Sequence, residues 1–177
     1  MASTTHLACN CGKVGLHLRG APIVTAECHC NSCREAGARL EASRPGVHVL
    51  EPNGGTGFVL YRRDRVQIDG AGLLREFRLS DASTTRRIVS ACCNTPLFLE
   101  FKGGHWLSLY AGLWPAAERP RPEMRTMTRD LADPSVLSSD IPNHRSQSFR
   151  FFRKLLGAWI AMGFRSPKIE VAGRIDA

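Results

Sequence analysis

No stretch of this 177-residue chain approaches the roughly 20 consecutive apolar residues of a membrane-spanning helix. The N-terminus, Met1 to His6, is polar and has no apolar run behind it, so no secretory leader is read there. Both absences lead to the expectation of a cytoplasmic protein, and structural disulfides are rare in that compartment. Acidic residues are scarce: 16 Asp and Glu stand against 24 Lys and Arg, a net charge of +8. Such an excess suits nucleic acid, an anionic membrane surface or acidic small molecules. The arginines are scattered, however, and not interleaved with stacking aromatics, which argues against nucleic acid. No internal repeat is present beyond recurring Cys pairs.

Those pairs are the informative part of the chain. Seven cysteines cannot all pair as disulfides, and their C-x-C and C-x-x-C clustering fits a metal better than bridges. Cys28-His29-Cys30-Asn31-Ser32-Cys33 brings three thiols within six residues. Sulfurs at that spacing converge on one tetrahedral cation at about 2.3 Å each, and a zinc with three protein ligands keeps one position for water or substrate. Three readings stand side by side: an open, substrate-binding zinc site, a purely structural zinc, and metal-free thiols. His29, between two of these ligands, is either an orienting or proton-carrying group or an exposed surface histidine.

Cys9 and Cys11 need partners from elsewhere, and the only other cysteines are Cys92 and Cys93. Together they would form a closed four-cysteine site tying the first hairpin to a late one, and a closed site contributes folding energy directly. The alternative is that Cys92 and Cys93 are small core residues. Adjacent strand residues point to opposite faces, so both reach one metal only if the backbone turns sharply. Asn94 tolerates the left-handed geometry such a turn needs.

With 43% hydrophobic and 23% charged residues the chain is ordinary for a globular protein of one domain. Val14, Leu16 and Leu18 alternate with polar positions as in a half-buried strand. Ile23 to Thr25, Val47 to Leu50, Phe58 to Tyr61, Val66 to Ile68, Leu74 to Leu79, Ile88-Val89, Leu97 to Phe101 and Trp106 to Tyr110 read as further short strands. Turn signals fall at Pro52 to Gly55, Asp69-Gly70 and Lys102 to Gly104. Arg34 to Leu40 reads as a single helical turn. The fold class expected is therefore mainly β, with folded antiparallel sheets over residues 1–115. From residue 116 to 177 the chain becomes a Pro- and Arg-rich extension carrying one amphipathic helix, about 146–163, packed on the same domain. Its apolar side, from Phe149 to Met162, also suits contact with a second copy of the chain or with an anionic membrane surface.

Cys9-Asn10-Cys11-Gly12-Lys13-Val14, Cys28-His29-Cys30-Asn31-Ser32-Cys33-Arg34 and Cys93-Asn94-Thr95-Pro96-Leu97-Phe98 together resemble the glutathione-dependent formaldehyde-activating enzyme family. Arg62-Arg63 and Arg86-Arg87 also stand where that family often has basic residues. The resemblance covers about residues 6–114. It implies folded β sheets and up to two zinc ions per chain. One is structural, on the first and last Cys groups (Cys9, Cys11, Cys92, Cys93), and the other more labile, on Cys28, Cys30 and Cys33. It also implies a carbon–sulfur lyase activity joining glutathione and formaldehyde reversibly into S-hydroxymethylglutathione. The departure from the family pattern lies in Cys92-Cys93-Asn94-Thr95-Pro96: Ser90 stands where the family's earlier Cys would be, and Asn94 replaces its Gly. Arg34, Arg62 and Arg63, with Arg39, are the candidates for pairing with the two carboxylates of glutathione. The alternative function is a non-catalytic zinc module that binds a protein or an anionic ligand.

Overall fold

Alternating and continuous apolar runs build most of the molecule, a computed structural model that describes residues 3–43 and 47–176. In chain order it contains β1 (Thr4–Ala8), β2 (Gly15–Arg19), β3 (Val24–Cys28), α1 (Asn31–Ala42), β4 (Thr56–Arg62) and β5 (Val66–Asp69). These are followed by β6 (Leu74–Phe77), β7 (Thr85–Ser90), β8 (Pro96–Phe101), β9 (Trp106–Tyr110), β10 (Met124–Thr126) and α2 (Phe149–Ala161). Strands β1, β2 and β5 form a small sheet; the large one runs β10-β3-β4-β9-β8-β7-β6. All named strand pairs are antiparallel except β3 with β10, which is parallel. The fold is thus mainly β, with two helices.

The large sheet is covered on both faces, so its central strands read as unbroken apolar runs, such as Phe58 to Tyr61 and Leu97 to Leu99. Val59, Ile88, Leu107 and Leu109 pack with Leu7, Leu16 and Leu18 of the small sheet. On the other face, Leu60, Leu99 and Met124 join Ala36 and Leu40 of α1 and Phe151 and Leu155 of α2. Successive residues such as Val59 and Leu60 therefore belong to two different cores, as strand alternation requires.

Two local expectations are corrected, and a strand is added. The single turn expected at Arg34 to Leu40 is a twelve-residue helix from Asn31 to Ala42. Cys33, Ala36, Gly37 and Leu40 give it one buried face at helical spacing. Val47 to Leu50 is not a strand; only Leu50 makes a bridge, to Thr56. The Val49 and Leu50 amides instead donate to the Glu41 carboxylate, at 2.7 and 2.8 Å, so a side chain takes the place of a partner strand. The added strand is β1, which no alternation announced, since Leu7 is its one buried residue.

The segment after residue 115 borders the large sheet at both edges. Strand β10 adds to β3. Residues 172–175 run along β6, where the Glu76 amide donates to the Gly173 carbonyl at 2.9 Å and the Ile175 amide to that of Glu76 at 2.9 Å. Both edges are thereby covered, which removes open pairing groups. Among the described residues no helix is long and apolar enough to cross a membrane.

Gly70, after β5, has a φ of +73°, and a Cβ there would lie 2.4 Å from the Lys13 carbonyl oxygen. Gly70→Ala is expected to destabilise the protein by about 2 kcal/mol or more in urea unfolding, since left-handed backbone alone costs about 1–2 kcal/mol. A loss under about 0.5 kcal/mol, the scale of an ordinary surface change, would show that the backbone has room to shift.

Candidate metal centres and the adjoining cavity

The first Cys group forms on two turns. After β1 the chain reverses through Cys9 to Gly12: the Gly12 amide donates to the Cys9 carbonyl at 2.8 Å and the Cys9 amide to Val14 at 2.9 Å. The Val14 amide also donates to the Cys9 sulfur, at 3.3 Å. The second turn follows β7, where the Asn94 amide donates to the Ser90 carbonyl at 2.7 Å and Asn94 takes a φ of +49°. That left-handed residue supplies the sharp turn which lets adjacent Cys92 and Cys93 face one point. Thr95 joins the two turns: its hydroxyl accepts from the Asn10 amide at 3.0 Å and lies 3.1 Å from the Cys93 sulfur.

Sγ of Cys9 lies 3.6 Å from that of Cys11 and 3.7 Å from that of Cys92. Cys11 and Cys92 are 3.2 Å apart, and Cys92 and Cys93 3.9 Å. A zinc tetrahedron with bonds of about 2.3 Å has sulfur–sulfur edges of about 3.8 Å, so the donor set and its size fit zinc. Burial raises the Cys93 thiol pKa, but the Ser90 and Thr95 hydroxyls outweigh it and bring the thiol down to about 5. Burial and the neighbouring Cys11 and Cys9 thiols push Cys92 up to about 12. Without a cation the four sulfurs do not all ionise; like charges at this spacing oppose it.

The second group follows from strand alternation. In extended chain, Cys28 and Cys30 share one side while Glu27 and His29 share the other. Extended pairing continues past β3, because the His29 amide donates to the Thr126 carbonyl at 3.0 Å. Cys30 then caps α1, its sulfur accepting from the Cys33 amide at 3.3 Å, and Cys33 lies in the first helical turn. The three sulfurs lie within 4.8 Å of one another. Hydrogen bonds from Cys28 and Cys33 pull the Cys30 thiol down to about 3, and the nearby charge of Arg87 adds to this. Cys28 is pushed up to about 11 by its bond to Cys30, and Cys33 is also raised, by Cys28, Cys30 and burial. One thiolate is thus held at a helix N-terminus, where the dipole favours it. Ionising the other two requires a cation, which again suits zinc.

These three cysteines line a cavity of about 730 Å³. Its floor is the large sheet, with Phe58, Leu60 and Leu99, and its opposite wall is α2, with Phe151, Phe152 and Leu155. The four-cysteine group has no share in this cavity.

His29 is fully buried, not a surface histidine; its Nε2 lies 2.7 Å from Glu27 Oε1. The same carboxylate oxygen accepts from Asn53 at 2.7 Å and from Arg125 Nε at 3.1 Å.

Arg34, Arg62 and Arg63 are not among the cavity's lining residues. Arg34 lies half-buried in α1. Arg62 is held by Asp64, at 2.9 and 2.6 Å, and by the Ala161 carbonyl. Arg63 is buried against Glu100 at 2.6 Å and donates to the Pro167 carbonyl, so it straps the C-terminal segment. The cations that do line the cavity are Arg87 and Lys102. Arg87 carries a legible signal: in the doublet Arg86-Arg87 within a strand, alternation sends one of the two inward.

Fold and site together define a mainly β protein with two thiol clusters able to hold metal ions, one closed and one beside a cavity. Residues 4–48 match the family described as glutathione-dependent formaldehyde-activating enzyme. No curated protein matches the chain. A crystal structure of a Rhodobacter sphaeroides protein is similar over 78% of this chain and 99% of that one, at 14% identity and a TM-score of 0.45.

Proposed function

We propose that this is a cytoplasmic zinc protein with carbon–sulfur lyase chemistry, acting on adducts of a small thiol and an aldehyde, of the S-hydroxymethylglutathione type. The observation that carries the reading is the placement of Cys28, Cys30 and Cys33 on the wall of a ligand-sized cavity. Cys9, Cys11, Cys92 and Cys93 hold a structural zinc in this reading, and the other three cysteines hold a second. Zinc at the three-cysteine group supplies a position that keeps an incoming thiol deprotonated at neutral pH.

In the joining direction the substrate sulfur gives its electron pair to the aldehyde carbon. The carbonyl π pair moves to oxygen, which takes a proton. The lyase direction breaks the same carbon–sulfur bond and returns the proton. Among the hydroxyl groups on the cavity wall, that of Thr126, which stands opposite Cys28 across the β3–β10 pair, is the one this reading offers to that oxygen. Substrate carboxylates fall to Arg87 and Lys102 rather than to Arg34, Arg62 or Arg63. Self-association through α2 belongs to the same reading, since Phe149, Phe152, Leu156 and Ile160 are exposed along it.

Calorimetry on the zinc-loaded protein tests the sulfur contact. Glutathione and 3-mercaptopropionate are each expected to bind at least about tenfold more tightly than their S-methyl ethers, because a thioether cannot become a thiolate. Cys33→Ser is expected to abolish that preference while the protein stays folded. Equal binding of thiols and ethers would exclude capture of the thiol by the metal. Exchange spectroscopy on thiol and formaldehyde then measures catalysis, and binding with no acceleration over the appreciable uncatalysed rate would leave a thiol-binding module.

A further inference from the structure

The cavity beside Cys28, Cys30 and Cys33 has a chemical character of its own, and we propose that it takes a ligand with an apolar, ring-sized body and a carboxylate, in preference to a zwitterionic tripeptide. The proposal rests on the reading of the site as a thiol site and narrows its substrate class.

Arg87 is the first observation. It is 1% exposed, and arginine is almost never so buried without a partner. Its Nη2 donates to the Ser32 carbonyl at 2.9 Å and to the Ser32 hydroxyl at 3.0 Å, both neutral groups. Its Nη1 has no hydrogen-bond partner, and among the described residues no carboxylate forms an ion pair with Arg87. Arg87 is among the cavity's lining residues, and a buried guanidinium N–H left unmet calls for an acceptor, of which a carboxylate suits it best.

The walls are the second observation. Sheet residues Phe58, Leu60 and Leu99 face Phe151, Phe152 and Leu155 of α2 across the cavity. No lining residue is acidic. A tripeptide thiol brings two carboxylates, an ammonium and two amides. Its ammonium would meet no carboxylate here, and its amides would lose water against apolar walls. A phenyl or branched alkyl body gains from the same walls. Such a ligand can reach Arg87 with its carboxylate and the cysteine cluster with its sulfur, because both line the one cavity and Arg87 bonds to Ser32, which lies between Cys30 and Cys33 in the chain.

Calorimetry on the zinc-loaded full chain with four probes tests this. The expected order is 2-mercapto-3-phenylpropanoate tightest, ahead of glutathione by about tenfold or more from ring burial. Next, 3-phenylpropanoate, which has no thiol, still binds, and 2-phenylethanethiol, which has no carboxylate, binds without using Arg87. Arg87→Gln should weaken both acids about tenfold, the scale of a charge-assisted pair, and leave 2-phenylethanethiol nearly unchanged. Should Arg87→Gln fail to fold, Phe152→Ser serves instead. That residue is 54% exposed at the rim, and its loss should weaken all three phenyl ligands but not glutathione.

Glutathione binding as tightly as the phenyl thiol, or 3-phenylpropanoate not binding at all, would overturn the inference. If 3-phenylpropanoate binds but no thiol outperforms its S-methyl ether, the thiol reading falls and the apolar acid site stands.

Discussion

Replacing Cys93 by Ser is expected to lower the melting temperature by about 10 °C or more. For a chain of this size each kcal/mol shifts Tm by about 2–4 °C, so the loss corresponds to about 4 kcal/mol. The free energy available is larger: a structural zinc contributes about 10–16 kcal/mol in small peptides, against about 5–15 kcal/mol for the whole stability of a domain. Geometry directs the effect to folding. With zinc bound as proposed, the four sulfurs would staple the β1–β2 turn of the small sheet to the β7–β8 turn of the large one. Cys93 is 6% exposed and bonded to Ser90 and Thr95, so Ser there cannot restore the donor set. Cys9→Ser should match it, since Cys9 is 3% exposed and takes the Val14 amide. Cys92, less buried, should matter less than Cys93. Elemental analysis of protein purified without chelator should show up to two zinc ions, and mild chelation should first remove the one beside the cavity. A firm ratio of one, unchanged by added zinc, would sink the two-site arrangement. Full stability of Cys93→Ser beside collapse of Cys92→Ser would reverse the order argued for the doublet.

Glu27→Ala is expected to cost about 3–5 kcal/mol, because it strands a buried cation. Glu27 and Arg125 stand opposite each other across the parallel β3–β10 pair, and each is 6% exposed. Arg125 also reaches Asp140 at 2.8 Å and the Ser138 carbonyl at 3.0 Å, so the pair anchors the segment that follows β10. Replacing both partners, as Glu27→Leu with Arg125→Met, should destabilise less than either single change, since no unpaired charge remains. The pH dependence has a definite sign. Burial raises the Glu27 carboxyl pKa, but His29, Asn53 and Arg125 together hold it below the ordinary value of 4.5. A folded-state value below the unfolded one means that the contribution is complete above about pH 4.5 and is lost as pH falls through the lower folded value. Urea unfolding between pH 6 and pH 3 should therefore show a fall in stability that Glu27→Gln flattens. If Glu27→Ala loses less than about 1 kcal/mol, the pair does not anchor β10.

Much of this protein was legible in its residues. Short apolar runs bounded by turn signals mark the central strands and period-two alternation marks β2, and both signals are local. The cysteine groups are legible for a similar reason: C-x-C and C-x-x-C set sulfur spacing over a few bonds. Asn94 shows how far local chemistry reaches, since a doublet of adjacent thiols demands a left-handed residue and Asn94 takes that conformation. Where the chain uses a substitute for a ladder the signal fails, as at Val49 and Leu50, whose amides are taken by Glu41.

What tertiary structure alone decided is which charges are inside. Arg63, Arg87 and Arg125 look alike in the sequence as members of a basic excess. Folding gives Arg63 to Glu100, Arg125 to Glu27 and Asp140, and leaves Arg87 on the cavity wall without a carboxylate among the described residues. These partners lie 15 to 98 residues away in the chain, a reach at which composition carries no register. The route of the segment after residue 115 is of the same kind. A three-residue strand and a four-residue run have too few positions to show a period, yet they cover opposite edges of the large sheet. Their places are set by the unpaired backbone groups those edges present, which exist only once the sheet has formed.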